Sequence, residues 1–198
     1  MRKLIDVEQL TNSKYLNMFQ ANYQLESGKQ YPYYIASRKQ KQDLAVFGND
    51  KTDAVRILPY IKENGKTFVI LIKEFRHPLN KYIYSTPAGI IDGDEQSEVS
   101  AVRELEEEIG ASVVKIERVQ KKAYSSAGMT DESLECFEAE VKLDKKQNLE
   151  EIEDITFIKV ELDDLLDFVD NNDFGLQSAL HLKMFYYKNK YMEQKNGK

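Results

Sequence analysis

With Cys136 as its only cysteine, this chain excludes an internal disulfide and a cysteine-built zinc site. Histidine is almost as scarce: His77 and His181 are the only two, so zinc chemistry has few ligands to draw on. Long apolar runs are also missing. The opening MRKLIDVEQLTNSKY lacks the hydrophobic stretch of a signal peptide, and no segment approaches the roughly 20 apolar residues of a membrane span. The expectation is a cytoplasmic address. Positive charge is in deficit, 28 Lys and Arg against 34 Asp and Glu, for a net −6. That balance disfavours duplex nucleic acid and anionic membrane as main partners, because both require a positive surface. It does not disfavour phosphate ligands, since a bound metal ion can supply the local charge. Repeats, low-complexity linkers and long single-sign charge blocks are absent.

What remains is an ordinary globular composition, 41% hydrophobic over 198 residues, enough for one core. Aromatics and a turn signal at Glu26, Ser27 and Gly28 predict a hairpin between about Leu16 and Arg38. Residues 1–50 form an arm with too little core of its own, expected to pack on the rest of the chain or on a second copy. Residues 51–198 form the main domain. Two β-rich runs, VRILPYI and TFVILI, flank Asn64-Gly65, a strong hairpin signal. A turn is expected over Pro87 to Gly93. A helix follows, with Ser97 as N-cap, Val99, Val102, Leu105 and Ile109 at helical spacing, and Gly110 at a left-handed C-cap. Strands are predicted at Val113 to Arg118, Leu134 to Val141 and Ile155 to Val160, and helices at Leu162 to Val169 and Leu176 to Met192. This order of elements points to an α/β (α+β) fold with helices on the faces of a mixed sheet. Cys136 on its alternating strand is expected to be a small buried residue, and the two histidines to be structural.

The chemistry concentrates in GIIDGDEQSEVSAVRELEEEIGA, from Gly89 to Ala111, where four glutamates fall within the five positions 104–108. Helical residues advance about 100° each, so Glu104, Glu107 and Glu108 share a stripe while Glu106 points elsewhere. Three carboxylates on one face repel one another unless a cation offsets the repulsion. Oxygen ligands of this kind select Mg²⁺, Mn²⁺ or Ca²⁺.

Gly89, Glu95, Arg103, Glu104, Leu105, Glu107, Glu108, Gly110 and Ala111 stand at the spacing of the Nudix hydrolase signature box, which this stretch resembles; only Ala111 departs from it, being smaller than the usual branched residue. The resemblance implies the Nudix α/β/α sandwich preceded by an antiparallel β arm. It further implies Mg²⁺, with Mn²⁺ as the substitute, held by the Ala88 carbonyl and the carboxylates of Glu104, Glu107 and Glu108. Gly89 is expected to let the chain turn so that this carbonyl faces the metal, and Arg103 to reach back to Glu95 in a bracing ion pair.

The flanking sequence IKEFRHPLNKYIYSTPAGIID is similar to the ADP-ribose pyrophosphatase branch. There Arg76 matches a substrate arginine able to grip a diphosphate, and Ser85 stands where a glutamate is common. Downstream, AYSSAGMTDE resembles a substrate loop, with Ala127 in place of the usual proline. Arg38, Ser126 and Gly128 are the other implied substrate contacts. The acidic run Glu150 to Asp154 resembles a mobile base-carrying loop, with Glu153 the best match for the base and Glu151 the next. Tyr33 and Tyr34 are candidates to stack on a base, although half-buried strand positions account for them too.

The implied reaction is pyrophosphate hydrolysis of a nucleoside diphosphate sugar, foremost ADP-ribose to AMP and ribose 5-phosphate, in a homodimer joined through the N-terminal arm. A UDP-sugar substrate and a non-catalytic nucleotide sensor are the alternatives. The sensor is disfavoured by the intact glutamates and the lack of an added DNA-binding module.

Overall fold

The structure is a computed structural model and describes residues 2–196. The first compact unit consists of Met1–Asp53 and Lys122–Leu134, and the second of Ala54–Lys121 and Glu135–Lys198. In the first unit, β1 (Lys3–Gln9), β2 (Asn17–Gln24) and β3 (Gln30–Ser37) form an antiparallel sheet in the order β1-β2-β3. The expected hairpin is therefore β2 and β3, with Gly28 at φ 83° in its turn. β1 escaped the sequence reading because only Val7 of its residues is buried. One face of this sheet packs Val7, Phe19, Ala21 and Ile35 around Leu44, a small core of its own.

The second unit is built on a seven-stranded mixed sheet of β4 (Ala54–Glu63), β5 (Lys66–Arg76), β6 (Lys81–Ser85), β7 (Ala88–Ile90), β8 (Ala111–Tyr124), β9 (Ser133–Leu143) and β10 (Ile155–Glu161). Its main path runs β10-β5-β4-β9-β8, with β6 paired to β5 and β7 to β4. Asn64 and Gly65 turn β4 into β5 with both φ angles positive, as the Asn-Gly signal predicts.

Strand alternation then sorts the core. Val55, Ile57, Ile70, Ile72, Phe137 and Ala139 project to one face and pack on Ala101, Leu105 and Ile109 of α1 (Ser97–Ile109). Leu58, Val69, Leu71 and Val160 project to the other and pack on α2 (Leu165–Asp170) and α3 (Leu176–Asn196) through Leu165, Val169, Leu182 and Phe185. The result is the expected α/β/α sandwich. Among the described residues no helix is long and apolar enough to cross a membrane.

Several local expectations are corrected. The segment expected as one turn from Pro87 to Gly93 contains β7, which pairs Ala88 with Arg56 and Gly89 with Val55. Gln96, not Ser97, is the N-cap of α1; it carries no side-chain cap bond, and the Ser97 hydroxyl instead donates to Glu135 at 2.8 Å. Val99 and Val102 are 54% and 37% exposed, so the buried face of α1 follows Ala101, Leu105 and Ile109 rather than the valines. That rotation matters for function, because it carries Ser100, Glu104 and Glu108 into the protein as well. Gly110 closes the helix at φ 62° as expected. Cys136 is half-buried, not buried.

Candidate active site

β7 and α1 bring the box together, and Arg103 is its hub. From the second turn of α1 its guanidinium donates to Glu104 at 2.7 Å, Glu107 at 3.1 Å, Glu95 at 3.2 Å and the Ile90 carbonyl at 3.1 Å. One planar fork thus ties the strand, the loop and the helix together. Glu95 also accepts from the Ser100 hydroxyl, and these two donors hold its carboxyl below the usual range. Glu106 points elsewhere, to Lys145 at 2.6 Å.

Glu104 and Glu108 are buried, at 8% and 4% exposure, while Glu107 is half-exposed. Burial pushes the carboxyl of Glu108 well above its ordinary range. The charges of Glu104, Glu74 and Glu153 add to that push, against a hydrogen bond from the Ala88 backbone. Burial raises Glu104 too, opposed by Arg103 and reinforced by Glu107 and Glu153. The charge of Glu153 bears on both carboxyls, and its own carboxylate accepts from the Glu150 N–H at 2.9 Å. Glu151 is exposed in the same turn.

Gly89 is needed for space rather than for turning. It lies in β7 without a positive φ, and a Cβ there would fall 1.9 Å from Glu104 Oε1. The positive φ in this stretch belongs to Gly93, at 52°.

These residues fit a divalent cation. Hard oxygens converge around Ala88 and Gly89, and Glu108 Oε2 is buried with no hydrogen-bond partner. Among the described residues, no three His, Cys, Asp or Glu side chains already stand as a closed metal cluster, and Arg103 meanwhile engages Glu104 and Glu107. Along the outer flank of α1 runs an open groove of about 640 Å³, bordered by Gln96, Val99, Val102, Arg103, Glu107 and Asn148.

Beside the box lies a set of polar residues that sequence reasoning missed. Arg56 on β4 donates to Ser178 on α3 at 2.7 Å, to Ser85 at 3.0 Å, and to both the carbonyl and hydroxyl of Thr86 at 3.3 Å. The one signal for it was a lone charge inside the run VRILPYI. Arg76 ends β5 at 45% side-chain exposure, against the Glu74 carboxylate at 2.8 Å.

The other predicted contacts lie in the first unit. Arg38 pairs with Glu132 at 2.8 Å, and Tyr33 donates its hydroxyl to the Gly128 carbonyl at 2.7 Å. Ser126 and Gly128 are exposed in a turn closed by bonds from Met129 and Thr130 to the Ser126 carbonyl. Tyr33 also borders a cavity of about 290 Å³ with Tyr23, Tyr124 and Met129.

Residues 50–176 match the NUDIX domain, and the chain belongs to the Nudix family as a Nudix hydrolase. It is 29% identical over 196 residues to the ADP-ribose pyrophosphatase of Bacillus subtilis (strain 168), covering 98% of this chain and 97% of that one. It is also 29% identical over 158 residues to the ADP-ribose pyrophosphatase of Saccharomyces cerevisiae (strain ATCC 204508 / S288c), covering 77% and 65%. A crystal structure of an ADP compounds hydrolase superposes with a TM-score of 0.73 at 19% identity, over 96% of this chain and 95% of that one. At that identity the likeness concerns the fold.

Proposed function

We propose that this Nudix hydrolase cleaves the pyrophosphate bond of a nucleoside diphosphate sugar, with ADP-ribose, giving AMP and ribose 5-phosphate, as the leading substrate. The observation that carries the reading is the pair of buried carboxylates, Glu104 and Glu108, with Glu108 Oε2 unpartnered and Glu153 within electrostatic reach. Full-length similarity to the Bacillus subtilis enzyme supports the substrate. Glu104, Glu107, Glu108 and the Ala88 carbonyl would hold Mg²⁺, with Mn²⁺ as the substitute. When bound, the ion offsets the charge of the diphosphate and lowers the pKa of water.

The chain's own residues do the rest. Glu153 accepts the proton of the attacking water, with Glu151 the second candidate. Arg76 grips a phosphate oxygen pair through its planar fork. Water adds to one phosphorus, the bridging oxygen leaves with the other phosphate, and the two monophosphates share the protons released. A UDP-sugar is the second reading, favoured by Ser85 and Ala127, both departures from the ADP-ribose pattern.

Hydrolysis of ADP-ribose and UDP-glucose with Mg²⁺ in ¹⁸O-labelled water, read by ³¹P NMR and mass spectrometry, tests both readings. We expect AMP and ribose 5-phosphate from ADP-ribose, one of them bearing a single label. Faster cleavage of UDP-glucose transfers the reading to that substrate, and no cleavage of either overturns it.

Residues 1–50 are proposed as a dimerising arm. Its support is the face of the N-terminal sheet left open, where Met18 and Tyr34 are 38% and 52% exposed opposite the packed Phe19 and Ile35. Light scattering at micromolar concentration should give a dimer, and a clean monomer would contradict it. A cytoplasmic address completes the proposal, in keeping with the single cysteine.

A further inference from the structure

Glu74 and Arg76 are two residues apart on β5, so their side chains leave the same face of the sheet. Ile72 points from that face into the α1 side of the core, which places Glu74 on the side of the box. β5 pairs with β6 so that Ser85 lies opposite Ile72 and diagonal to Glu74. The Glu74 carboxylate is 13% exposed and sits 2.8 Å from Arg76 Nη2, and the Ser85 hydroxyl reaches the same carboxylate. Glu74 Oε1 meets no donor in hydrogen-bonding geometry, so the pair is held by charge and proximity. Arg76 is otherwise a half-exposed side chain with many rotamers, and a substrate gripped by a wandering guanidinium must first order it.

We propose that Glu74 is a positioning residue for substrate binding: it fixes the Arg76 guanidinium from two residues away on the same face of β5. This rests on the reading in which Arg76 meets the substrate diphosphate. Glu74 then acts on affinity through Arg76, without touching the scissile bond.

A double-mutant cycle over Glu74→Gln and Arg76→Ala tests it. Binding of ADP-ribose is followed calorimetrically in EDTA, and KM and kcat are followed with Mg²⁺. Glu74→Gln should weaken binding and raise KM about tenfold with kcat within about threefold of wild type. In the Arg76→Ala background it should have no further effect, since nothing remains to be positioned. Wild-type affinity in Glu74→Gln, or an equal loss with and without Arg76, overturns the proposal. If Glu74→Gln does not fold, Glu74→Asp replaces it: retained affinity supports the role of the charge, and a loss that persists in the Arg76→Ala background refutes it. A wild-type chain that neither binds nor cleaves ADP-ribose defeats the substrate reading instead, and the cycle is then run on the diphosphate it does cleave.

Discussion

Gly89 and Glu104 compete for one small space: the carboxylate of Glu104 lies where a Cβ on residue 89 would have to go, 1.9 Å from Oε1. The Glu104 carboxylate can therefore hold its place beside β7 only while residue 89 has no side chain. Gly89→Ala should push Glu104 out of the box and lower kcat by about 100-fold, the order expected when a site group is displaced by an ångström. The fold should persist, at a cost of about 1–3 kcal/mol for overpacking. Steady-state kinetics beside a thermal melt checks both numbers.

Much of this arrangement was legible in the sequence. The spacing from Gly89 to Gly110 located α1 and its carboxylates, and Asn64-Gly65 located the β4-β5 hairpin. The rest depended on tertiary pairing that no local pattern carries. β6 and β7 are short strands beside Pro87 and read as loop. Which face of α1 is buried was decided by Ala101, whose size gives it little weight in a periodicity reading, against the more hydrophobic Val99 and Val102. Arg56, Glu74 and Ser178 come from three separate stretches, so only the folded sheet shows that they surround the box.

Arg103 holds four acceptors with one guanidinium, a geometry that an ammonium cannot copy. Arg103→Lys should keep the charge yet lose the fork, lowering kcat/KM by at least about tenfold and stability by about 1–2 kcal/mol. Denaturant unfolding and kinetics on the same preparation would reveal it; a wild-type profile in both would show that charge alone suffices.

Arg56 joins Thr86, two residues before Ala88, to Ser178 on α3. Its removal leaves buried hydroxyls without a shared donor. Arg56→Met should lower stability by about 2–4 kcal/mol, seen as a fall in the urea midpoint. An unchanged midpoint would mean that the bonds these hydroxyls already make to one another suffice.

Glu138 provides a pH dependence remote from the box. Burial pushes its carboxyl up, but the nearby His181 ring, 3.9 Å away, and a hydrogen bond from Lys188 at 2.8 Å outweigh burial and hold it below the ordinary value. A carboxylate depressed in the folded state contributes stability above its unfolded pKa, and that contribution is lost as pH falls through the folded one. Thermal melts should therefore lose part of their stability below about pH 4.5. Glu138→Gln should be less stable at pH 7 by about 1–3 kcal/mol and show a shallower decline in acid. Parallel acid limbs in the two proteins would exclude Glu138 as the source.

Glu108→Gln asks whether the buried carboxylates of α1 carry the proposed pyrophosphate hydrolysis. Release of AMP from ADP-ribose with Mg²⁺ is measured for the variant and the wild type, with circular dichroism on both. Turnover should fall by about three orders of magnitude with the fold intact. Because the variant removes a crowded buried charge, its metal-free melting temperature should equal or exceed that of wild type. Wild-type turnover in folded Glu108→Gln would contradict a catalytic role for these carboxylates.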